Sequence, residues 1–333
     1  MTFDSRRPVA GLTRRELVRR ATAAGVLLTL PGSLLGCAFG SDRRSPSGLE
    51  SVGAGRAGLL PPDGRPIVAD LQLPSGKRWA PELLYTRGPE PGFVGWATDD
   101  GVDGAFELAR RLAEPHRSTG LWPCLWDSTE GPAYYCINRP GVDAVDAAKA
   151  RSVLAKRWTM DPPRASWVAP LGRRFPGLAD PTARPSRAFD PFGLLESRRR
   201  LEATWNPEAV RPRLLLIPCR HPADAIAAIG FECGTAYSGV EDPALVSSVL
   251  RSWEQRFQAV LVELAPGGFA LAVGAPPTSF DHALRIAAEH FALAPRGDAG
   301  APGALARVAE ELLGGNPPYT VSSRDIWELG WND

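Results

Sequence analysis

The chain has 333 residues, of which 44% are hydrophobic and 23% are charged. These fractions are ordinary for a globular protein and exclude a collagen, a coiled coil, a wholly disordered chain and a protein with many membrane spans. The formal net charge is +1, and it becomes slightly negative when residues 1–36 are set apart. A body with that balance lacks the basic surface that neutralises phosphates, so we expect no nucleic-acid partner.

Residues 1–36 are predicted to be an export signal. Arg14 and Arg15 precede a short apolar stretch, 21–35, and resemble the twin-arginine signal. That stretch is too short to span a bilayer as a helix. The four residues ending at Cys37, Leu-Leu-Gly-Cys, resemble the bacterial lipobox. We expect cleavage before Cys37 and its acylation, which places the mature chain on the outer face of the cytoplasmic membrane; the alternative is an amphipathic start with an incidental cysteine.

Residues 37–66 are rich in Gly, Ser, Pro and Arg, a composition typical of a flexible tether. Within this segment, residues 53–58 match the glycine pattern of a dinucleotide-binding loop. No strand precedes the pattern and no helix is predicted to follow it, so we expect no nucleotide cofactor there. No other cofactor is indicated.

Residues 67–158 are predicted to form an N-terminal α/β part. The predicted elements are strands at 67–73 and 93–97, a helix at 103–113, a hairpin over 121–137 and a helix at 142–158. The next segment, 159–210, is rich in Pro and Arg and is predicted to be an irregular connection. It is either a domain boundary or a functional loop.

The predicted hairpin has a consequence for the cysteines. It places Cys124 opposite Cys136, within the distance that a disulfide requires, so we expect this bond in exported protein. Cys219 and Cys233 are either a second pair or two buried thiols. No cysteine or histidine spacing indicates a metal site.

Residues 211–333 are predicted to form a C-terminal α+β domain. Its elements are a strand at 213–218, helices at 222–230 and 243–257, strands at 259–265 and 269–274, and helices at 279–293 and 303–313. This order gives a β-α-α-β-β-α-α unit. For the whole body we therefore expect an α+β fold, with a mixed sheet and flanking helices.

Several segments of this C-terminal part resemble a known bacterial family. They are Leu250-Arg-Ser-Trp-Glu-Gln-Arg-Phe257, Ala275-Pro-Pro277, Ala287-Ala-Glu-His-Phe291 and the aromatic segment 327–331. Together they resemble domain of unknown function 4253. The family has no established activity, so the resemblance implies a fold unit and no catalytic residue.

The most interesting candidate side chain is His290. Helical periodicity places it on the core-facing stripe of its helix, while Glu289 points to the opposite face. The functional interpretation is a general base or ligand at a cleft; the alternative is a core histidine with a buried partner. Trp253 and Glu254 form a second candidate, an aromatic and carboxylate pocket wall, with a core tryptophan and a solvated glutamate as the alternative.

The sequence therefore predicts an exported, membrane-anchored lipoprotein that acts as a non-enzymatic binding or interaction module for an unknown protein or small molecule. The alternatives are an envelope enzyme, hydrolase-like, with a cleft near His290, and an immunity-like protein that blocks a partner. An enzyme should bring His290 to a concave pocket beside another titratable group. A binding module should expose a wide surface that carries tryptophans.

Overall fold

The computed structural model describes residues 58–81, 92–128, 130–136, 141–160, 171–183, 188–203, 211–234, 242–295, 303–315 and 323–331. Arg14, Arg15, Cys37 and most of the predicted tether lie outside these ranges. The described residues all belong to one unit, Val52–Asp333. Their buried apolar side chains form one main core.

Nine strands are present in the described ranges. They are β1 (Ile67–Val68), β2 (Leu71–Gln72), β3 (Gly76–Trp79), β4 (Gly95–Thr98), β5 (Leu121–Trp126), β6 (Arg213–Pro218), β7 (Ala259–Ala265), β8 (Gly268–Val273) and β9 (Ile326–Gly330). The predicted strand at 67–73 is wrong as a single element. Ala69 and Asp70 take positive φ values of 48° and 64° and fold it into a tight two-stranded turn.

Eight α-helices are present in the same ranges. They are α1 (Ala105–Ala113), α2 (His116–Thr119), α3 (Ala150–Met160), α4 (Pro191–Ala203), α5 (Ala225–Ile229), α6 (Pro243–Phe257), α7 (Phe280–Leu293) and α8 (Ala304–Leu312). The predicted helix at 142–158 begins late, because residues 142–144 and 147–149 form short 3-10 turns before α3.

The predicted α+β class with a mixed sheet is confirmed. Seven strands form one sheet in the order β3-β4-β6-β5-β7-β8-β9. All neighbours are antiparallel except β5 and β7, which are parallel. The sheet thus takes strands from both the predicted N-terminal part and the predicted C-terminal domain, and β9 adds a strand that the sequence patterns did not indicate.

Strand β5 lies in the middle of this sheet, and every residue in it is buried. It pairs with β6 on one side and β7 on the other. The predicted hairpin over 121–137 is therefore wrong: both edges of β5 are already paired, and residues 132–135 form a 3-10 turn. The sequence of a central strand that is buried on both faces is a continuous apolar run, and such a run does not indicate which strands pair with it.

The segment 159–210, predicted to be irregular, contains helix α4. Asp190 and Pro191 start this helix, and the Asp190 carboxylate accepts a hydrogen bond from the Gly193 N–H at 2.9 Å. An Asp followed by Pro is a common helix start, but the many prolines nearby obscured it. Helix α4 packs with α1 and against β7, β8 and β9. No helix in the described ranges has the length and apolarity needed to cross a membrane.

Candidate functional site

A cleft opens where the parallel strands β5 and β7 approach their C-terminal ends. Asp127 directly follows β5, and Glu263 lies within β7. The two strands are in register at Leu125 and Glu263, and the Asp127 N–H donates to the Leu264 carbonyl at 3.0 Å. Helices α1 and α4 form the opposite wall. The cleft has a volume of about 530 Å³, and ligands commonly bind at this edge of a sheet.

Arg199 of α4 is the central side chain of this cleft, which we call the Arg199 cleft. Its guanidinium binds both carboxylate oxygens of Glu263. It also donates to Glu202 of α4 and, at 3.1 Å, to Glu328 of β9. A planar guanidinium with several donors suits such shared pairing better than an ammonium group would.

The sheet register explains why one arginine reaches two strands. Glu263, Ala270 and Glu328 are directly paired across β7, β8 and β9. Paired residues on antiparallel strands point to the same face, so the two glutamates flank the short Ala270 side chain. The alanine leaves room above β8, and the Arg199 guanidinium bridges the two glutamates.

Negative charge exceeds positive charge at the centre of this cleft. Burial raises the pKa of Glu263, although Arg199 draws it back down. Burial raises the pKa of Glu328 to about 7, and the nearby Glu202 and Glu263 add to the shift. Burial also raises the pKa of Asp127. For Arg199, burial opposes the charged form, but Glu263, Glu328 and Glu202 overcome this and raise its pKa.

The predicted candidates His290, Glu289 and Trp253 lie elsewhere, in a buried cluster between α6 and α7. The Glu289 carboxylate pairs with Arg256 at 2.6 Å and accepts hydrogen bonds from the Trp253 Nε1 and the Ala179 N–H, each at 2.7 Å. The His290 ring lies 5.0 Å from the Trp253 ring and 4.8 Å from that of Trp327.

The predicted outward orientation of Glu289 is wrong, because its side chain is completely buried. Helical periodicity distinguishes the two faces of a helix but does not show what covers the second one. Here the irregular segment 171–183 covers it, and Ala179 supplies a hydrogen bond. The ion pair to Arg256 satisfies the buried charge, so this cluster fastens the two helices together.

Glu254 lies apart from this cluster. It lines a second cavity of about 560 Å³, together with His116, Trp122, Arg220 and His221. The tryptophans themselves do not form a binding surface in the described part of the chain. Trp79, Trp96, Trp122, Trp126, Trp158, Trp253, Trp327 and Trp331 are each at most 7% exposed.

The disulfide predicted between Cys124 and Cys136 is not formed in the structure. Both thiols are free and buried, as are those of Cys219 and Cys233. The physical reason is the absent hairpin: Cys124 lies on a central strand opposite Leu215 of β6, not opposite Cys136. Burial raises the pKa of Cys124 and of Cys136 well above the usual thiol value, which disfavours the reactive thiolate.

The sequence patterns missed Asp127, Arg199, Glu263 and Glu328, which come from four distant segments. One signal was available. Glu263 is a single charged residue inside the apolar strand Ala-Val-Leu-Val-Glu-Leu-Ala, and a carboxylate at such a position needs a buried partner. No group of three or more His, Cys, Asp or Glu residues within the described ranges is arranged to hold a metal ion.

These features define an α+β protein with a charged cleft at the edge of a mixed sheet. Residues 213–317 match the family model of a domain of unknown function, DUF4253, which confirms the predicted resemblance for the C-terminal part. No curated protein and no solved structure matches the chain. The match begins at β6 and ends after α8, so it includes Glu263 but not Asp127, Arg199 or Glu328.

Proposed function

We propose that this protein is an exported, lipid-anchored binding module of the cell envelope and that its ligand binds in the Arg199 cleft. The support for anchoring is the order of three features near the N-terminus: Arg14 and Arg15, a short apolar stretch, and the lipobox-like Leu-Leu-Gly-Cys ending at Cys37. An acylated Cys37 would hold the chain at the membrane through its fatty acyl chains.

The observation that supports the binding role is that the Asp127 carboxylate has no partner among the described residues. Its carboxylate lines the cleft and is more than half buried, but it forms no side-chain hydrogen bond or ion pair with the described residues. Glu263 and Glu328 already share Arg199. A small molecule with an ammonium or guanidinium group would pair with Asp127 and offset the excess negative charge.

Calorimetric titration tests this binding role. We would titrate the protein with agmatine and spermidine as cationic probes and with succinate as an anionic control. Asp127→Asn should weaken binding of the cations by about tenfold or more, because it removes a charge-assisted hydrogen bond. Asp143→Asn, an exposed aspartate outside the cleft, is the matched control and should bind as the wild type does. Equal binding by both variants, or no binding of either cation, would contradict the role assigned to the cleft.

Cell fractionation tests the anchoring. Cys37→Ser should release the protein from membranes that are washed with high salt, which weakens purely electrostatic binding, and Arg14→Lys combined with Arg15→Lys should block export. A Cys37→Ser protein that stays fully membrane-bound after this wash would refute lipid anchoring at this residue.

The alternative of an enzyme with a cleft near His290 gains no support from the structure. The His290 ring packs between two tryptophan rings and lines neither of the two cavities described above. An immunity-like role gains none either, because no feature of the described residues favours it over ligand binding in the cleft.

A further inference from the structure

The first described residue, Gly58, is bound at the end of the sheet that lies opposite the Arg199 cleft. The Gly58 N–H donates to the Gly120 carbonyl at 3.2 Å, immediately before β5 begins. A Cβ atom on residue 58 would lie 2.2 Å from the Thr119 carbonyl oxygen, so only glycine fits there. Gly58, the first described residue after Cys37, therefore lies at the N-terminal end of β5.

Other exposed side chains lie at this same edge. Trp96 of β4 and Pro123 of β5 both pair with Leu216, so Phe93 lies level with Gly120. Strand β6 ends at Pro218, opposite the start of β5, which places Arg220 here. Helix α2 adds Arg117, beside His116, whose ring bonds to the Cys219 carbonyl at 2.9 Å.

We call this surface the tether edge and define it by Leu59, Phe93, Arg117 and Arg220. Leu59 is 92% exposed and Phe93 is 56% exposed. Both arginines are also exposed. Single exposed apolar residues are ordinary, but here two of them accompany two cations where the chain leads toward the predicted anchor. Apolar and cationic side chains together are the chemistry that recognises an anionic lipid surface.

We propose that the tether edge docks on an anionic lipid surface, so that the Arg199 cleft opens away from the membrane. This inference rests on the proposed lipid anchor at Cys37. Twenty residues, 38–57, separate that cysteine from Gly58. Twenty residues span at most about 70 Å even when fully extended, so an anchor at Cys37 limits how far the tether edge can lie from the headgroups.

Vesicle sedimentation tests the docking without the anchor. The described residues all lie in the unit Val52–Asp333, and a chain of residues 38–333 contains this unit and lacks the acylated cysteine. This chain should sediment with phosphatidylcholine vesicles that contain phosphatidylglycerol and much less with phosphatidylcholine alone. High salt should weaken the binding because it screens the charges.

Matched variants locate the contact. Arg117→Gln and Arg220→Gln should each weaken vesicle binding by about fivefold. Leu59→Ser combined with Phe93→Ser should weaken it further, with no change in melting temperature. Leu201→Ser and Arg200→Gln change exposed residues of α4 beside the Arg199 cleft and should leave binding unchanged.

Two results would overturn the inference. One is the absence of binding to vesicles that contain phosphatidylglycerol, and the other is an equal loss of binding in the α4 control variants. Failure of the anchoring proposal has a different signature, because full-length wild-type protein would then leave the membranes of cells in a high-salt wash. A full-length protein held at membranes through Cys37, with residues 38–333 unable to bind the vesicles, refutes only the docking.

Discussion

Two buried arginine–carboxylate groups in this protein differ in their balance of charge. In the first, Arg256 pairs with Glu289, and the carboxylate receives further hydrogen bonds from Trp253 and Ala179. In the second, Arg199 pairs with three carboxylates, of which Glu202 also pairs with Arg198, and Asp127 adds a fourth carboxylate nearby. The first group is enclosed in the core, whereas the second borders a cleft.

The difference indicates which group is structural and which is available to a ligand. A buried pair of one positive and one negative group, with its hydrogen bonds formed, needs no further partner. Losing either member of the pair is costly. In the second group, burial raises the pKa of Glu328 and Glu263, and the neighbouring carboxylates add to the rise. Such strain is typical of functional sites, where a bound ligand restores the balance.

The largest expected effect is the loss of the balanced pair. Arg256→Met should lower the free energy of unfolding by about 3–5 kcal/mol, because it leaves the Glu289 charge buried without its partner. Urea unfolding measures this. The double variant Arg256→Met, Glu289→Met should recover part of the loss, and Arg285→Met, an exposed position on α7, should change little. A single variant as stable as the wild type would show that the pair does not fasten α6 to α7.

A smaller loss is expected for Arg199→Met, about 2 kcal/mol near neutral pH. Glu263 and Glu328 lose their shared partner, but both can take up a proton and so limit the cost. The loss should therefore shrink as the pH is lowered, which unfolding curves at a series of pH values would reveal. A loss of stability that does not change with pH would mean that Glu263 and Glu328 take up no proton when Arg199 is removed. That result would contradict the surplus of negative charge in the cleft.

The third effect is a dependence of the folding stability on pH, which Glu328 produces. Its folded-state pKa of about 7 exceeds the ordinary value of 4.5, so unfolding releases a proton in this range. The contribution of Glu328 to the folding stability is fully present below pH 4.5 and is lost as the pH rises through 7. Glu328→Gln should make the melting temperature vary less with pH over this range. A variant whose melting temperature varies with pH as that of the wild type does would contradict the raised pKa.

The smallest effect on stability is expected for Asp127→Asn. The side chain has no hydrogen bond or ion pair with the described residues to lose, so the change should stay within about 0.5 kcal/mol. Thermal unfolding without ligand checks this. A clear destabilisation would show that Asp127 belongs to the structural framework, and the contrast between the two groups would then fail.

The sequence predicted the elements whose local pattern determines them. The amphipathic helix at 243–257 and the strand pair on either side of Pro266 and Gly267 are confirmed, because helical periodicity and a tight turn are local properties. The partners of β5 could not be predicted, since pairing with β6 joins segments about ninety residues apart. The Arg199 cleft was missed for the same reason: no pattern links α4 to β9.

The position of β5 also bears on what the matched family segment needs in order to fold. Residues 213–317 contain β6, β7 and β8, yet β6 and β7 do not touch as neighbours, because β5 from outside the segment occupies the slot between them. Taken alone, this segment would leave unpaired the edges of β6 and β7 that face β5, and unpaired strand edges invite aggregation. Any polypeptide that uses this segment in the same arrangement must supply a strand for that slot, so the unit that folds is larger than the unit that sequence similarity delimits.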